Sequence, residues 1–128
     1  MDDQIPGYFR VDQSGEIKAW DERMAEMTGY EVADVVGRSM ALLIPETYID
    51  RHWHGFRTAM SRGETKHNQP ALNVPLRHKD GTVVLHPARE IFLRDGFGAS
   101  VGVLAIIHSS CQPGENDLPS PYDDAISE

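Results

Sequence analysis

The chain is 128 residues long, with 40% hydrophobic and 25% charged residues, which is typical of a single globular domain. Its formal net charge of −8, without a cluster of Lys or Arg, argues against nucleic acid and anionic membranes as primary partners, because both require a basic surface. The single cysteine, Cys111, excludes an internal disulfide and a multi-cysteine zinc site. The acidic N-terminus has no apolar run that could form a signal peptide or a membrane span, so we expect a cytoplasmic protein.

The first third of the chain predicts a β-hairpin followed by short helices. Residues 7–11 and 16–20 are rich in aromatic and β-branched residues, and the Asp-Gln-Ser-Gly segment between them is typical of a turn. Asp21 and Gly29 are suited to cap the start and the end of the first helix. The three short helices are predicted at residues 21–28, 31–36 and 39–43.

A longer helix is predicted next, at residues 46–61, because Pro45 favours a helix start and Gly63 favours a helix end. His52 and Phe56 lie one turn apart on its apolar, core-facing side. A buried imidazole is either a core residue hydrogen-bonded to the backbone or a ligand to a cofactor held between the helix and a sheet. The helical pattern alone leaves both interpretations open.

The second half of the chain predicts three antiparallel strands. Lys79-Asp80-Gly81 is a strong hairpin signal between the first two strands. The uninterrupted apolar run of the last strand predicts the centre of the sheet, whereas Pro75 and Pro87 predict edge positions or bulges. The strands are expected at residues 70–76, 82–92 and 100–107.

Together these elements predict an α+β fold, a five-stranded antiparallel sheet with three short helices and one long helix on one face. We assign residues 1–110 to this domain. Residues 111–128 are rich in proline, glycine and acidic residues, and they cannot bury enough apolar surface to offset the entropy of ordering. We therefore predict that they form a disordered acidic tail.

The order of these elements, and the residues that mark it, resemble the PAS sensory family. The resemblance covers residues 5–109 and implies the PAS fold, with a ligand pocket between the long helix and the inner face of the sheet. It rests on the ordered spacing of marks that are individually weak: the Gly15 turn, Trp20, Thr28-Gly29-Tyr30, Val36-Gly37-Arg38, Leu43-Ile44-Pro45, Gly63-Glu64, Lys79-Asp80-Gly81 and Gly102.

Within this family the chain is similar to the heme-binding PAS domains of oxygen-sensing kinases and to stand-alone heme PAS proteins. The similarity lies in His52, which stands the same distance after Leu43-Ile44-Pro45 as their proximal histidine. It implies b-type heme ligated by His52, and a diatomic gas or small nitrogen oxide as the sensed ligand. The other side chains expected around the heme are Phe56, Arg57 for the propionates, Leu72, Ala88, Leu104 and Ile106.

Two departures from the oxygen sensors concern the sixth iron ligand. Leu72 stands where those sensors have an arginine that hydrogen-bonds bound oxygen. Pro70 stands where one group of them has a methionine ligand. An iron held by His52 is therefore expected to be five-coordinate or to take a different sixth ligand.

A third departure lies on the strand after the hairpin, where counting from the turn puts three residues on the pocket face: His86, Ala88 and Glu90. An ionised carboxylate in an apolar pocket is costly, so we expect Glu90 to be protonated, to pair with Arg89 or Arg94, or to face solvent. A bulge at Pro87 would turn Glu90 to solvent, because it would shift the register and bring Arg89 and Ile91 to the inner face instead.

Three functions remain open at this point. The one we favour is a sensory domain that binds a small ligand, with heme as the specific candidate. The second is a cofactor-free module that forms a homodimer through the exposed face of the sheet and the N-terminal segment. The third is a stand-alone heme enzyme, similar to the N-nitroglycine lyases, with His86 or Glu90 as proton carrier. An iron site made of His52, His86 and Glu90 is disfavoured, since three elements would have to aim at one point.

Overall fold

The structure is a computed structural model that describes residues 5–62 and 72–109. It confirms the predicted α+β architecture, whereas the tail predicted at residues 111–128 and the helix end predicted at Gly63 lie outside the described residues. No helix in the described ranges is both long and apolar enough to span a membrane. The elements in chain order are β1 (Gly7–Asp12), β2 (Ile17–Trp20), α1 (Glu22–Thr28), α2 (Val32–Val35), a 3₁₀ turn (Met40–Leu43), a second 3₁₀ turn (Glu46–Tyr48), α3 (Ile49–Arg62), β3 (Leu72–Arg77), β4 (Val83–Arg94) and β5 (Ser100–Ile107).

The five strands form one antiparallel sheet in the order β2-β1-β5-β4-β3. β5 lies at the centre of the sheet, as its apolar run predicted. Pro75 lies on the edge strand β3, which is one of the positions predicted for it. Pro87 lies at a local edge, because the pairing of β4 with β5 begins only at Ala88, and at Pro87 the strand is paired with β3 alone. The alternative of a bulge at Pro87 is wrong, since the β3–β4 pairing runs without a register shift.

The hydrophobic core lies between one face of this sheet and the helical segments. Phe9 and Val11 on β1 lie opposite Ala105 and Val103 on β5, and all four are buried. We call this side the inner face, and the opposite side of the sheet the outer face. The helical segments contribute three side chains that are fully buried against it: Met24, Val35 and Leu43.

The N-terminus of helix α1 is hydrogen-bonded to β1. Asp21 caps the helix by accepting a hydrogen bond from the Met24 N–H at 2.9 Å, and it accepts a second from the Tyr8 N–H on β1 at 3.2 Å. The helix ends at Gly29, whose φ of 86° is left-handed and whose N–H donates to the Ala25 carbonyl. Both predicted caps are therefore confirmed.

Helix α3 packs against β5, the central strand. The helix predicted at residues 46–61 is present, but its first turn, Glu46–Tyr48, is 3₁₀ and the α-helix begins at Ile49. Trp53 lies against the β1–β2 turn, where a Cβ added to Gly15 would lie 2.5 Å from the indole ring. Gly15 therefore makes room for α3, and it also supplies the φ of 88° at this turn.

Candidate functional site

The candidate site is built around His52, the fourth residue of α3. Its ring meets the Trp53 ring edge-on at a centroid distance of 4.8 Å and lies roughly parallel to the Phe56 ring at 5.9 Å. Phe56 in turn packs against the core. The predicted spacing therefore placed His52 and Phe56 on the correct side of the helix, and aromatic contacts orient the imidazole.

The Nδ1 atom of His52 is buried and has no hydrogen-bond partner among the described residues. Burial lowers the pKa of His52 to about 4, so the ring is neutral at physiological pH. A neutral imidazole with a free nitrogen lone pair is the form that binds a metal or accepts a hydrogen bond from a ligand. Since buried polar atoms in proteins are normally satisfied, this nitrogen is the feature of α3 that most needs an explanation.

Two of the residues expected around the ligand lie on the inner face. Leu72 and Ala88 are both buried and face one another directly across the β3–β4 pair. Arg57 lies on α3 with an exposed side chain, where a cation can meet an anionic group at the edge of a pocket.

Leu104 and Ile106 do not lie where the resemblance implied. They pair with Arg10 and Tyr8, whose side chains are exposed, so they belong to the outer face and cannot line a pocket under α3. The inner-face residues of β5 are Val103, Ala105 and Ile107. An uninterrupted apolar run carries no alternation from which the two faces of a strand could be told apart.

His86 is on the inner face and only 2% exposed, but both of its ring nitrogens are engaged within the protein. Nδ1 lies 2.7 Å from the carbonyl oxygen of His108, and Nε2 lies 2.9 Å from Nε2 of His78. Burial lowers the pKa of His86, although the bond to the His108 carbonyl opposes this effect. A ring held in this way is poorly suited to be the proton carrier of the enzyme hypothesis.

Sequence reasoning missed the pairing of His86 with His78. The two histidines flank the Asp80-Gly81 hairpin on the same face, eight residues apart. The hairpin register gave no signal for this contact, because it places His86 opposite Val74 and His78 beside Thr82.

Glu90 lies opposite Ala105, so the count from the hairpin placed it correctly on the inner-face side. Its side chain is exposed nonetheless, which removes the cost expected for a buried carboxylate. The alternative register is wrong, since Arg89 and Ile91 pair with the outer-face residues Ile106 and Leu104.

The described part of the chain holds no group of three or more His, Cys, Asp or Glu side chains that could bind a metal ion. The disfavoured iron site of His52, His86 and Glu90 is therefore not formed.

Comparison with known proteins agrees with this architecture. Residues 1–109 match the family model described as the PAS fold. An uncharacterized protein of Azorhizobium caulinodans is 30% identical over 84 residues, which is 65% of this chain but only 11% of that much longer protein.

Solved structures show the same fold at low sequence identity. The PAS domain of a Colwellia psychrerythraea protein has a TM-score of 0.68 at 18% identity, with 81% of this chain and 85% of that chain covered. The PAS domain of the Cronobacter turicensis quorum-sensing receptor RpfR, in complex with BDSF, has a TM-score of 0.63 at 14% identity, with coverage of 84% and 94%. With five strands, three α-helices, two 3₁₀ turns and a family match over residues 1–109, the chain belongs to the PAS family and is a sensory PAS domain.

Proposed function

We propose that this PAS domain binds b-type heme through His52 and senses a diatomic gas or a small nitrogen oxide. The observation that carries the proposal is the neutral imidazole of His52, with one buried nitrogen that has no partner among the described residues. Coordination of a metal would use the lone pair of a neutral ring. The rigid helix and two aromatic neighbours hold that ring in one orientation.

Several buried or half-buried apolar side chains support the proposal. Phe56 stacks on His52, and the buried residues Leu72, Ala88, Val103 and Ala105 lie on the inner face of the sheet, where they would supply apolar surface to a bound heme. Arg57 offers a cation at the protein surface for the propionates. Heme, when bound, would supply an iron with an exchangeable position for the sensed ligand.

Ligand binding by other members of the fold is consistent with this proposal. The PAS domain of the quorum-sensing receptor RpfR was solved in complex with BDSF. Because fold does not determine function, the identity of the ligand here rests on His52 and its surroundings.

The test is an absorption titration of the purified protein with hemin, with His52→Ala and His54→Ala run in parallel. His54 is exposed on the same helix, so its replacement is a matched control. We expect an intense Soret band at one heme per chain in the wild type and in His54→Ala, and its loss or shift in His52→Ala. A wild-type protein that gives only the spectrum of free hemin would refute heme binding.

A second function, homodimerisation through the outer face of the sheet, is favoured by a separate observation. The outer face carries Tyr8 at 50%, Leu85 at 46% and Ile91 at 46% exposure, together with the half-buried Leu104 and Ile106. Apolar side chains grouped on one surface of a small domain mark a contact surface. This function is compatible with heme binding on the other face.

A further inference from the structure

His78 and His86 join three parts of the molecule that are separate in the chain. His78 follows the end of β3 at the tight turn, and His86 lies on β4. The backbone carbonyl of His108, just after β5, is hydrogen-bonded to Nδ1 of His86. The N···N distance of 2.9 Å between the two rings is that of a hydrogen bond and is too short for van der Waals stacking.

The proton positions in this chain of hydrogen bonds follow from its end. A carbonyl oxygen only accepts, so Nδ1 of His86 carries a hydrogen and donates it to His108. In the neutral ring, Nε2 of His86 is then an acceptor, and Nε2 of His78 must be the donor. Nδ1 of His78 is the only nitrogen of the two rings left to take up a proton without loss of a bond.

The charged groups around the pair favour that site for the first proton. Burial lowers the pKa of His78, and the neighbouring Asp80 carboxylate partly offsets this effect. Glu26 of α1 and Lys79 line the same surface cleft of 430 Å³ as His78 and Asp80, and Lys79 is paired with Asp34 at 3.3 Å. On its other side His86 meets the His108 carbonyl, which is uncharged.

We propose that His78 and His86 form a proton-responsive latch that holds the β3–β4 turn to the rest of the sheet. A first proton, taken up at Nδ1 of His78, leaves the bond to His86 intact and makes it charge-assisted. A second proton, taken up at Nε2 of His86, places two N–H groups head to head and breaks the bond. The turn is then released, including its hydrogen bond from the Lys79 N–H to the Thr28 carbonyl at the end of α1. This latch does not depend on heme.

The wild-type protein allows a direct test by NMR of the imidazole nitrogens. At neutral pH we expect His86 to carry its hydrogen on Nδ1 and His78 on Nε2. On acidification His78 is expected to titrate first and His86 at a distinctly lower pH. A His86 ring protonated on Nε2 at neutral pH, or two rings that titrate at the same pH as free histidine, would overturn the proposal.

Amide hydrogen exchange tests the release of the turn. After correction for the intrinsic effect of pH, the Lys79 amide is expected to exchange about tenfold faster across the His86 titration step, with no change across the His78 step. His78→Ala is expected to show the faster exchange already at neutral pH, whereas His54→Ala behaves as the wild type. Lys79 exchange that follows neither step, or that rises with the His78 step, would contradict the latch.

Discussion

The half-buried His52 and the buried His86 differ in their hydrogen bonding. Both are kept neutral by burial, but His86 has a partner for each ring nitrogen, whereas Nδ1 of His52 has none among the described residues. A fully bonded ring specifies local structure, and a ring with a free nitrogen is available to a ligand. The difference in hydrogen bonding separates the structural histidine from the candidate ligand.

The low pKa of His52 predicts an acid-dependent loss of stability in the heme-free protein. Its folded pKa of about 4 lies below the ordinary value of 6.5, so between these values the unfolded chain binds a proton that the folded chain does not. The contribution is fully present above pH 6.5, and roughly 2 to 3 kcal/mol of unfolding free energy is lost as the pH falls towards 4.

Urea denaturation at several pH values in this window measures the effect. The wild type also contains His78 and His86, whose pKa values are lowered too, so the informative quantity is the difference between the wild type and His52→Phe. We expect the variant to lose less stability on acidification. Equal pH dependence in the two proteins would show that His52 is not neutral and buried in solution.

Replacement of Gly102 by alanine is expected to destabilise the fold strongly, although it adds only one methyl group. An added Cβ on this residue of the central strand β5 would overlap the carbonyl oxygen of Val11 on the neighbouring strand β1. We expect Gly102→Ala to lower the unfolding free energy by about 1 to 3 kcal/mol or more, because backbone cannot move aside as a side chain can. Gly96→Ala is the control, since nothing lies within 4 Å of its added Cβ. Similar urea midpoints for the two variants would contradict the close approach.

At the scale of elements, the start of α1 is stabilised by one carboxylate. Asp21→Ala removes the acceptor for both the Met24 and the Tyr8 N–H groups, so we expect a loss of about 1 kcal/mol, and up to about 2 kcal/mol. Glu22→Ala, an exposed change in the same turn, is expected to have little effect. The unfolding midpoint of each variant measures this, and an Asp21→Ala midpoint equal to that of Glu22→Ala would show that the cap contributes nothing.

The elements that could be predicted are those with a local signal. The caps of α1, the hairpin at Asp80-Gly81 and the bounds of β5 all depend on a few neighbouring residues, and the structure agrees with each. The face of β4 was also predictable, because a tight turn determines the register of the strand that follows it.

Other features depend on the partner strand and could not be predicted. The inner face of β5 is set by its pairing with β1 and β4, so Leu104 and Ile106 were placed on the wrong side. The positions of Phe56 beside His52 and of Leu72 and Ala88 on the inner face agree with the expectation, and their role in binding a ligand stays a prediction. The missing partner of His52 Nδ1 and the bonds of His86 depend on the full three-dimensional packing.

For the whole molecule, the outer face of the sheet predicts self-association. Ile91→Lys places a charge at the centre of this face, opposite Leu104, and is expected to weaken a homodimer by about tenfold or more, because an unpaired charge must be desolvated. Val32→Lys is the matched control, an equally exposed apolar residue on α2. Sedimentation over a range of protein concentrations measures the effect. A wild type that stays monomeric, or two variants with the same behaviour, would refute the dimer.

The pairing of β1 with β5 also has a mechanical consequence. Gly7, where β1 begins, lies opposite Ile107, where β5 ends, so the chain passes into and out of the domain at neighbouring points. A pull applied to these two points would load the Gly7–Ile107 pair first and the Tyr8–Ile106 pair next, as a zipper opens. The pairs of the β1–β5 ladder would separate one after another, whereas a pull along the strands would load all of the pairs at once. A longer polypeptide carrying this domain would therefore contain a segment that gives way gradually under tension.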